Sequence, residues 1–133
     1  MSSPVADAAT AIVVAGDDTT RALLRGLLRL HHFQVDGEAE GASRALELLR
    51  DHRPGLLVID ADLAEGSWVA LVGEARGILP KLRVILVASA SRPPAPPSDA
   101  ARRPDVVLFR PFRLSRFAEA LTPGGLGSGE GST

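Results

Sequence analysis

The stretch AIVVAGDDTTRALLRGLL, residues 11–28, reads as a strand, a short loop and the start of a helix. Ala11–Ala15 is an unbroken apolar run rich in β-branched residues, the pattern of a strand covered on both faces. Leu23, Leu24, Leu27 and Leu28 then recur at helical spacing and form an apolar stripe. Between them stand Gly16, Asp17, Asp18, Thr19 and Thr20. Asp and Thr are good helix caps, and negative charge suits the exposed N–H groups of a first turn. Capping is therefore the favoured reading of Asp17 and Asp18, with metal ligation as the alternative.

The same alternation continues along the chain. FQVDG (33–37) reads as a partly polar strand nearer an edge, and GASRALELLRDHRP (41–54) as a helix with Ala42, Ala45, Leu46 and Leu49 inward, ended by Pro54. LLVID (56–60) is the most central-looking strand. Trp68, Leu71, Val72 and Ala75 mark a third helix, with Trp68 read as core, and RVILVA (83–88) and DVVLF (105–109) two more strands. Leu114, Phe117, Ala118 and Leu121 predict the face of a last helix. Strands alternating with helices argue for a parallel sheet with helices on both faces.

One unit departs from the pattern. SASRPPAPPSDAARRP (89–104) occupies the place of a helix, but Pro93, Pro94, Pro96 and Pro97 lack backbone donors and clash with a helix interior. At most a short turn of helix is expected near Ser98–Arg103. The P-x-x-P spacing here reads as a stiff loop in preference to a polyproline ligand. Residues 1–9 are expected to be a disordered N-terminus, 10–121 the folded domain, and 122–133 a glycine-rich disordered tail.

Composition sets the class. The 133 residues are 45% hydrophobic and 23% charged, ordinary for a globular domain with a real core. No apolar run approaches the length of a membrane span, and the N-terminus lacks the pattern of a secretory signal. There is no cysteine, hence no disulfide framework and no thiolate chemistry, consistent with a cytoplasmic protein. A net charge of −1 argues against binding nucleic acid through bulk electrostatics. Lys81 is the sole lysine, so nearly all positive charge is arginine. His31 and His32 fall at a helix end, where positive charge is favoured, and a metal site there is not the preferred reading.

In an open parallel sheet, ligands collect at the carboxyl ends of the strands where the strand order reverses. The residues expected there are Ala15, Gly16, Asp17, Asp18, Asp60 and Asp62, with Ala88 or Ser89 and Arg110. Asp60 ends an otherwise apolar strand, and a carboxylate there is costly unless something pairs with it. It is the strongest functional pointer in the chain. Asp62 reads equally as a carboxylate near the site or as a solvated loop residue. Arg110, at a strand end before Pro111, reads as a site residue more readily than as a surface charge.

These residues resemble the receiver domain of two-component response regulators. AIVVAGDDTTRALLRGLL resembles its first strand and helix, RPGLLVIDADLAEG (53–66) its phosphoacceptor strand and loop, and VVLFRPF (106–112) its fifth strand. The resemblance implies an α/β, flavodoxin-like three-layer sandwich with a five-stranded parallel sheet in order 2-1-3-4-5. The fourth helix would be shortened or replaced by the proline-rich loop. In that family an acidic pair holds Mg²⁺ and an aspartate accepts a phosphoryl group, whose oxygens a Thr or Ser hydroxyl and a Lys contact. Carried over, the phosphoacceptor position is Asp60, and the acidic pair falls on Ala15 and Gly16. The lysine falls on Arg110, the hydroxyl on Ala88 or Ser89, and the switch aromatic on Val107.

The expectation is a stand-alone pseudo-receiver: a cytoplasmic signalling module rather than an enzyme, with no catalytic residues and no cofactor. Its Mg²⁺ binding would be weak or absent. Its partners would be proteins, a histidine kinase or another signalling protein, with neither nucleic acid nor membrane. Two alternatives stand beside it, a working phosphoacceptor that uses Asp60 and, of another class, a flavodoxin-like cofactor-binding protein.

Overall fold

In the computed structural model, which describes residues 9–122, five strands form one parallel sheet in the order β2-β1-β3-β4-β5. The strands are β1 (Thr10–Val14), β2 (Gln34–Ala39), β3 (Leu56–Asp60), β4 (Arg83–Ser89) and β5 (Val106–Arg110). The helices are α1 (Asp18–Leu30), α2 (Ala42–His52), α3 (Trp68–Ile78) and α4 (Leu114–Leu121). The expected order is thus the observed one. The expected disordered ends lie outside the described residues except for Ala9 and Thr122.

Alternation along the strands splits the core into two layers. Ile12, Val14, Leu57, Ile59, Val84 and Leu86 pack with α2 and α3 on one face. Ala11, Val13, Val58, Ile85, Val87 and Leu108 pack with α1 and α4 on the other. β1, β3 and β4 are closed to solvent over nearly their whole length, as their apolar runs require. β2 is the polar edge strand. It runs further than expected, to Ala39, and carries an irregularity where Ala11 pairs with Val35 but Ile12 with Gly37.

Three helical faces differ from expectation. In α2 the buried residues are Ala45, Leu48 and Leu49, while Ala42 and Leu46 are only half-buried. In α4 the buried residues are Phe117, Ala120 and Leu121, while Leu114 is exposed and Ala118 only half-buried. Leu114 is the first residue of that helix. In α1 the buried residues are Leu24, Leu27 and Leu28, and Leu23 faces solvent. Trp68 is half-buried against the α2–α3 layer, at its margin.

Between β4 and β5 the described chain has only a 3₁₀ turn, Ala100–Arg102. This is the short helical piece that the prolines allow. The Arg76 guanidinium of α3 anchors the turn, donating to the carbonyls of Ala101 (3.1 Å) and Arg103 and to the Asp105 carboxylate (2.8 Å). Asp105 also accepts from the Val84 N–H at 2.7 Å.

Candidate functional site

The carboxyl ends of β1, β3, β4 and β5 come together at the point where the order reverses. Asp60 pairs in register with Val87, and Ser89 with Arg110, so Asp60 and Arg110 end strands on either side of β4. Neighbouring strands are about 4.8 Å apart, which puts these backbones roughly 10 Å from one another, within reach of an arginine side chain. The end of β4 between them carries the small residues Ala88 and Ser89.

Asp60 is the sole buried charged residue among those described, at 3% exposure. Burying a carboxylate is costly unless it is paired and hydrogen-bonded. Both of its oxygens are so engaged. Oδ1 accepts from the Asp62 backbone N–H at 2.8 Å, and Oδ2 accepts from Arg110 Nη1. The Arg110–Pro111 peptide bond is cis. The other Arg110 nitrogen, Nη2, lies 4.0 Å from the Asp62 carboxylate, which Arg92 Nη2 approaches to 3.4 Å from another side. Asp60, Asp62, Arg92 and Arg110 thus form one alternating chain of charge.

The other expected site residues have different employment. Asp17 caps α1, its carboxylate accepting from the Thr20 N–H (2.8 Å) and the Thr20 hydroxyl (3.0 Å). These bonds, the backbone one first, hold its carboxyl below the ordinary carboxylate range. Asp18 pairs with Arg21 along the helix. Asp17 is the N-cap of α1 and Asp18 lies in its first turn, which favours the capping reading. Ala88 is fully buried; the Ser89 hydroxyl lies 2.7 Å from that of Ser91 and accepts from the Ser91 N–H. Ser89 therefore supplies the hydroxyl at the strand end, beside Arg110 in register.

Ala15 and Gly16 are closed over. The Ala15 carbonyl accepts from Arg21 Nη1 at 2.7 Å. Gly16 donates its N–H to the Asp62 carbonyl at 3.0 Å. A Cβ at position 16 would stand 3.0 Å from both the Ala64 nitrogen and the Asp62 oxygen, tighter than ordinary contact and against backbone. The loop after β3 thus rests directly on Gly16. Two further bonds hold that loop down, Ala64 N–H to Glu40 O (2.9 Å) and Ala42 N–H to Glu65 O (3.1 Å).

Sequence reasoning missed three participants. Arg21 covers the end of β1, and Arg92 reaches Asp62. The Glu65 carboxylate binds the start of α2, accepting from the Ser43 N–H (3.0 Å) and hydroxyl (3.2 Å). A signal for the last was present: Gly41 is the N-cap and brings no side-chain acceptor, so the cap had to come from elsewhere.

The residues present do not fit a hard divalent cation, which wants several oxygen ligands. Positions 15 and 16 carry no side-chain oxygen, and both Asp60 oxygens are engaged. Among the described residues no group of three or more His, Cys, Asp or Glu could hold a metal ion.

A five-stranded parallel sheet in this order is shared with known structures. The response regulator receiver domain (CheY-like) from Methylobacillus flagellatus superimposes with a TM-score of 0.71 at 19% identity, over 85% of this chain and 98% of that one. The chain has the fold of a receiver domain. In sequence it is similar to the chemotaxis protein CheY of Bacillus subtilis (strain 168), 23% identical over 76% of this chain and 84% of that protein. The transcriptional regulatory protein CitT of the same organism is 28% identical over 60% of this chain, which spans only 36% of CitT. No family model matches the chain. Against the receiver pattern stated from the sequence, this domain keeps the aspartate and replaces the acidic pair and the lysine.

Proposed function

We propose that this receiver domain serves two-component signalling as a pseudo-receiver, working through protein–protein contacts without Mg²⁺-dependent phosphorylation and without catalytic activity of its own. The observation that carries the reading is the Asp60 carboxylate, engaged at both oxygens by Asp62 N–H and Arg110. Phosphoryl transfer relies on cations that neutralise developing charge and on a free attacking oxygen. Here the neighbouring cation is a guanidinium already spent on the aspartate, and the loop over Gly16 fills the place where acidic side chains would stand. Partners are expected to be a histidine kinase or another signalling protein. No helix among the described residues is long and apolar enough to cross a membrane.

The test is incubation of the protein with Mg²⁺ and a small phosphodonor such as acetyl phosphate, followed by intact-mass measurement. The expected result is no phosphoryl adduct. An adduct that disappears in Asp60→Asn would overturn the reading and favour the second one, an ordinary phosphoacceptor. One observation speaks for that alternative: the Arg110 side chain is 32% exposed and has solvent to withdraw into.

A further inference from the structure

We propose that Arg92–Pro97, which the sequence alone reads as a stiff loop, is a preformed polyproline II ligand, received by a partner protein in a groove lined with aromatic side chains and rimmed with acid. Each proline fixes its own φ near −65°, and a residue that precedes proline is pushed into extended or polyproline conformation. Arg92, Pro93, Ala95 and Pro96 all precede a proline, so the sequence leaves this stretch almost no other conformation. Residues 93–97 accordingly contain neither helix nor strand.

Exposure along the stretch follows a period of three. Pro94 and Pro97 are half-buried, whereas Pro93, Ala95 and Pro96 are exposed. A polyproline II helix has three residues per turn and rises about 3.1 Å per residue. Pro94 and Pro97 therefore share the side turned to the body of the domain. Pro93 and Pro96 form an outward ridge with its two rings about 9 Å apart. Such paired rings are what aromatic grooves in proline-reading domains accept.

The stretch is pinned at both ends. Arg92 N–H donates to the Ser89 carbonyl at 3.1 Å. At the far end the Arg103 guanidinium donates to the carbonyls of Pro97 (2.9 Å) and Ser98 (3.1 Å). A ligand held in its bound conformation loses little entropy on binding. The charge on the ridge points to the acidic rim. The Arg92 side chain is 76% exposed, and its one ion pair, at 3.4 Å to an Asp62 carboxylate that is itself 66% exposed, is weak enough to exchange for a partner's carboxylate. This proposal does not depend on whether Asp60 is phosphorylated.

The test uses the whole isotope-labelled protein titrated with a panel of isolated SH3, WW and EVH1 domains as probes of aromatic-groove recognition. At least one domain should shift the resonances of residues 91–98 saturably. In that complex, Pro93→Ala combined with Pro96→Ala should weaken binding by about tenfold or more, and Arg92→Glu should weaken it too. Since both prolines are exposed, the double variant should melt like the parent protein, which separates lost recognition from lost fold. Leu114→Ala, exposed but elsewhere, should bind normally. If no domain in the panel perturbs residues 91–98, or if the double variant binds as the parent does, the proposal fails.

Discussion

Arg110 Nη1 donates to the Asp60 carboxylate, joining the ends of β5 and β3 across 50 residues of sequence. One partner is at 4% side-chain exposure and the other at 32%, so the carboxylate depends on the guanidinium more than the reverse. Removing Arg110 leaves a buried charge with a single hydrogen bond. Removing the charge of Asp60 leaves an arginine that can turn to water.

Arg110→Ala is therefore expected to destabilise more than Asp60→Asn. Their double variant should show a coupling energy of about 0.5–3 kcal/mol, as groups in direct contact do. Denaturant unfolding of the four proteins measures it. Purely additive effects would mean that the pair does not hold in solution.

Gly16 supplies a second expectation. Because its missing Cβ is replaced by the backbone of residues 62–64, Gly16→Ala should cost about 1–3 kcal/mol, in the range of overpacked sites. Placing acids at both 15 and 16 should likewise disturb the β3–α3 loop before it creates a Mg²⁺ site. A stable Ala15→Asp, Gly16→Asp variant whose Trp68 fluorescence titrates with millimolar Mg²⁺ would contradict this.

The order of elements was legible because apolar runs such as LLVID and RVILVA have one use, a strand covered on both faces. Asp60 and Arg110 were legible for a related reason, since each charge follows directly on such a run. The failure of a fourth helix followed from four prolines. What stayed hidden depends on contacts between loops. Nothing in the residues at 15–16 indicates that 62–64 would lie on them, and Arg21 looks like any surface residue of α1 until its bond to the Ala15 carbonyl is seen. The phase of α4 was also hidden, because Leu114 and Phe117 fit one helical stripe equally well before their packing is known.

That phase gives a third expectation. Leu114→Ala should change stability by no more than about 0.5 kcal/mol, as at exposed positions in general. Phe117, fully buried and 5.8 Å from Phe112 between ring centroids, should cost about 3–5 kcal/mol on replacement by Ala. Comparable losses at the two positions, by thermal or urea unfolding, would return Leu114 to the core.

Arg76 offers a fourth. It ties α3 to the 3₁₀ turn through two backbone carbonyls and Asp105, with its own side chain at 15% exposure. Hydrogen bonds to charged groups contribute about 1.5–3 kcal/mol, and Asp105 at 40% exposure falls at the low end. Arg76→Leu should lower stability by about 1–3 kcal/mol and speed amide exchange of Arg102, Arg103 and Asp105. Protection of those amides equal to the parent's would show that the turn is held by its prolines alone.

The last expectation concerns acid. Asp17 binds the Thr20 N–H and hydroxyl more strongly when ionised, and its carboxyl accordingly titrates below the ordinary value of 3.8. A carboxyl depressed in the folded state is a stabilising group when ionised. Its contribution is complete above the unfolded value and fades as pH falls through the lower, folded one. The first turn of α1 should therefore loosen only in strong acid, below about pH 4, and earlier than the apolar core. Asp17→Asn keeps an acceptor for the Thr20 N–H but carries no charge, so it should remove the acid dependence while preserving the cap at neutral pH. Amide shifts of Thr19, Thr20 and Arg21 followed from pH 7 downwards provide the measurement. If they move at the same pH in Asp17→Asn as in the parent, the transition belongs to another group and Asp17 is only a neutral cap.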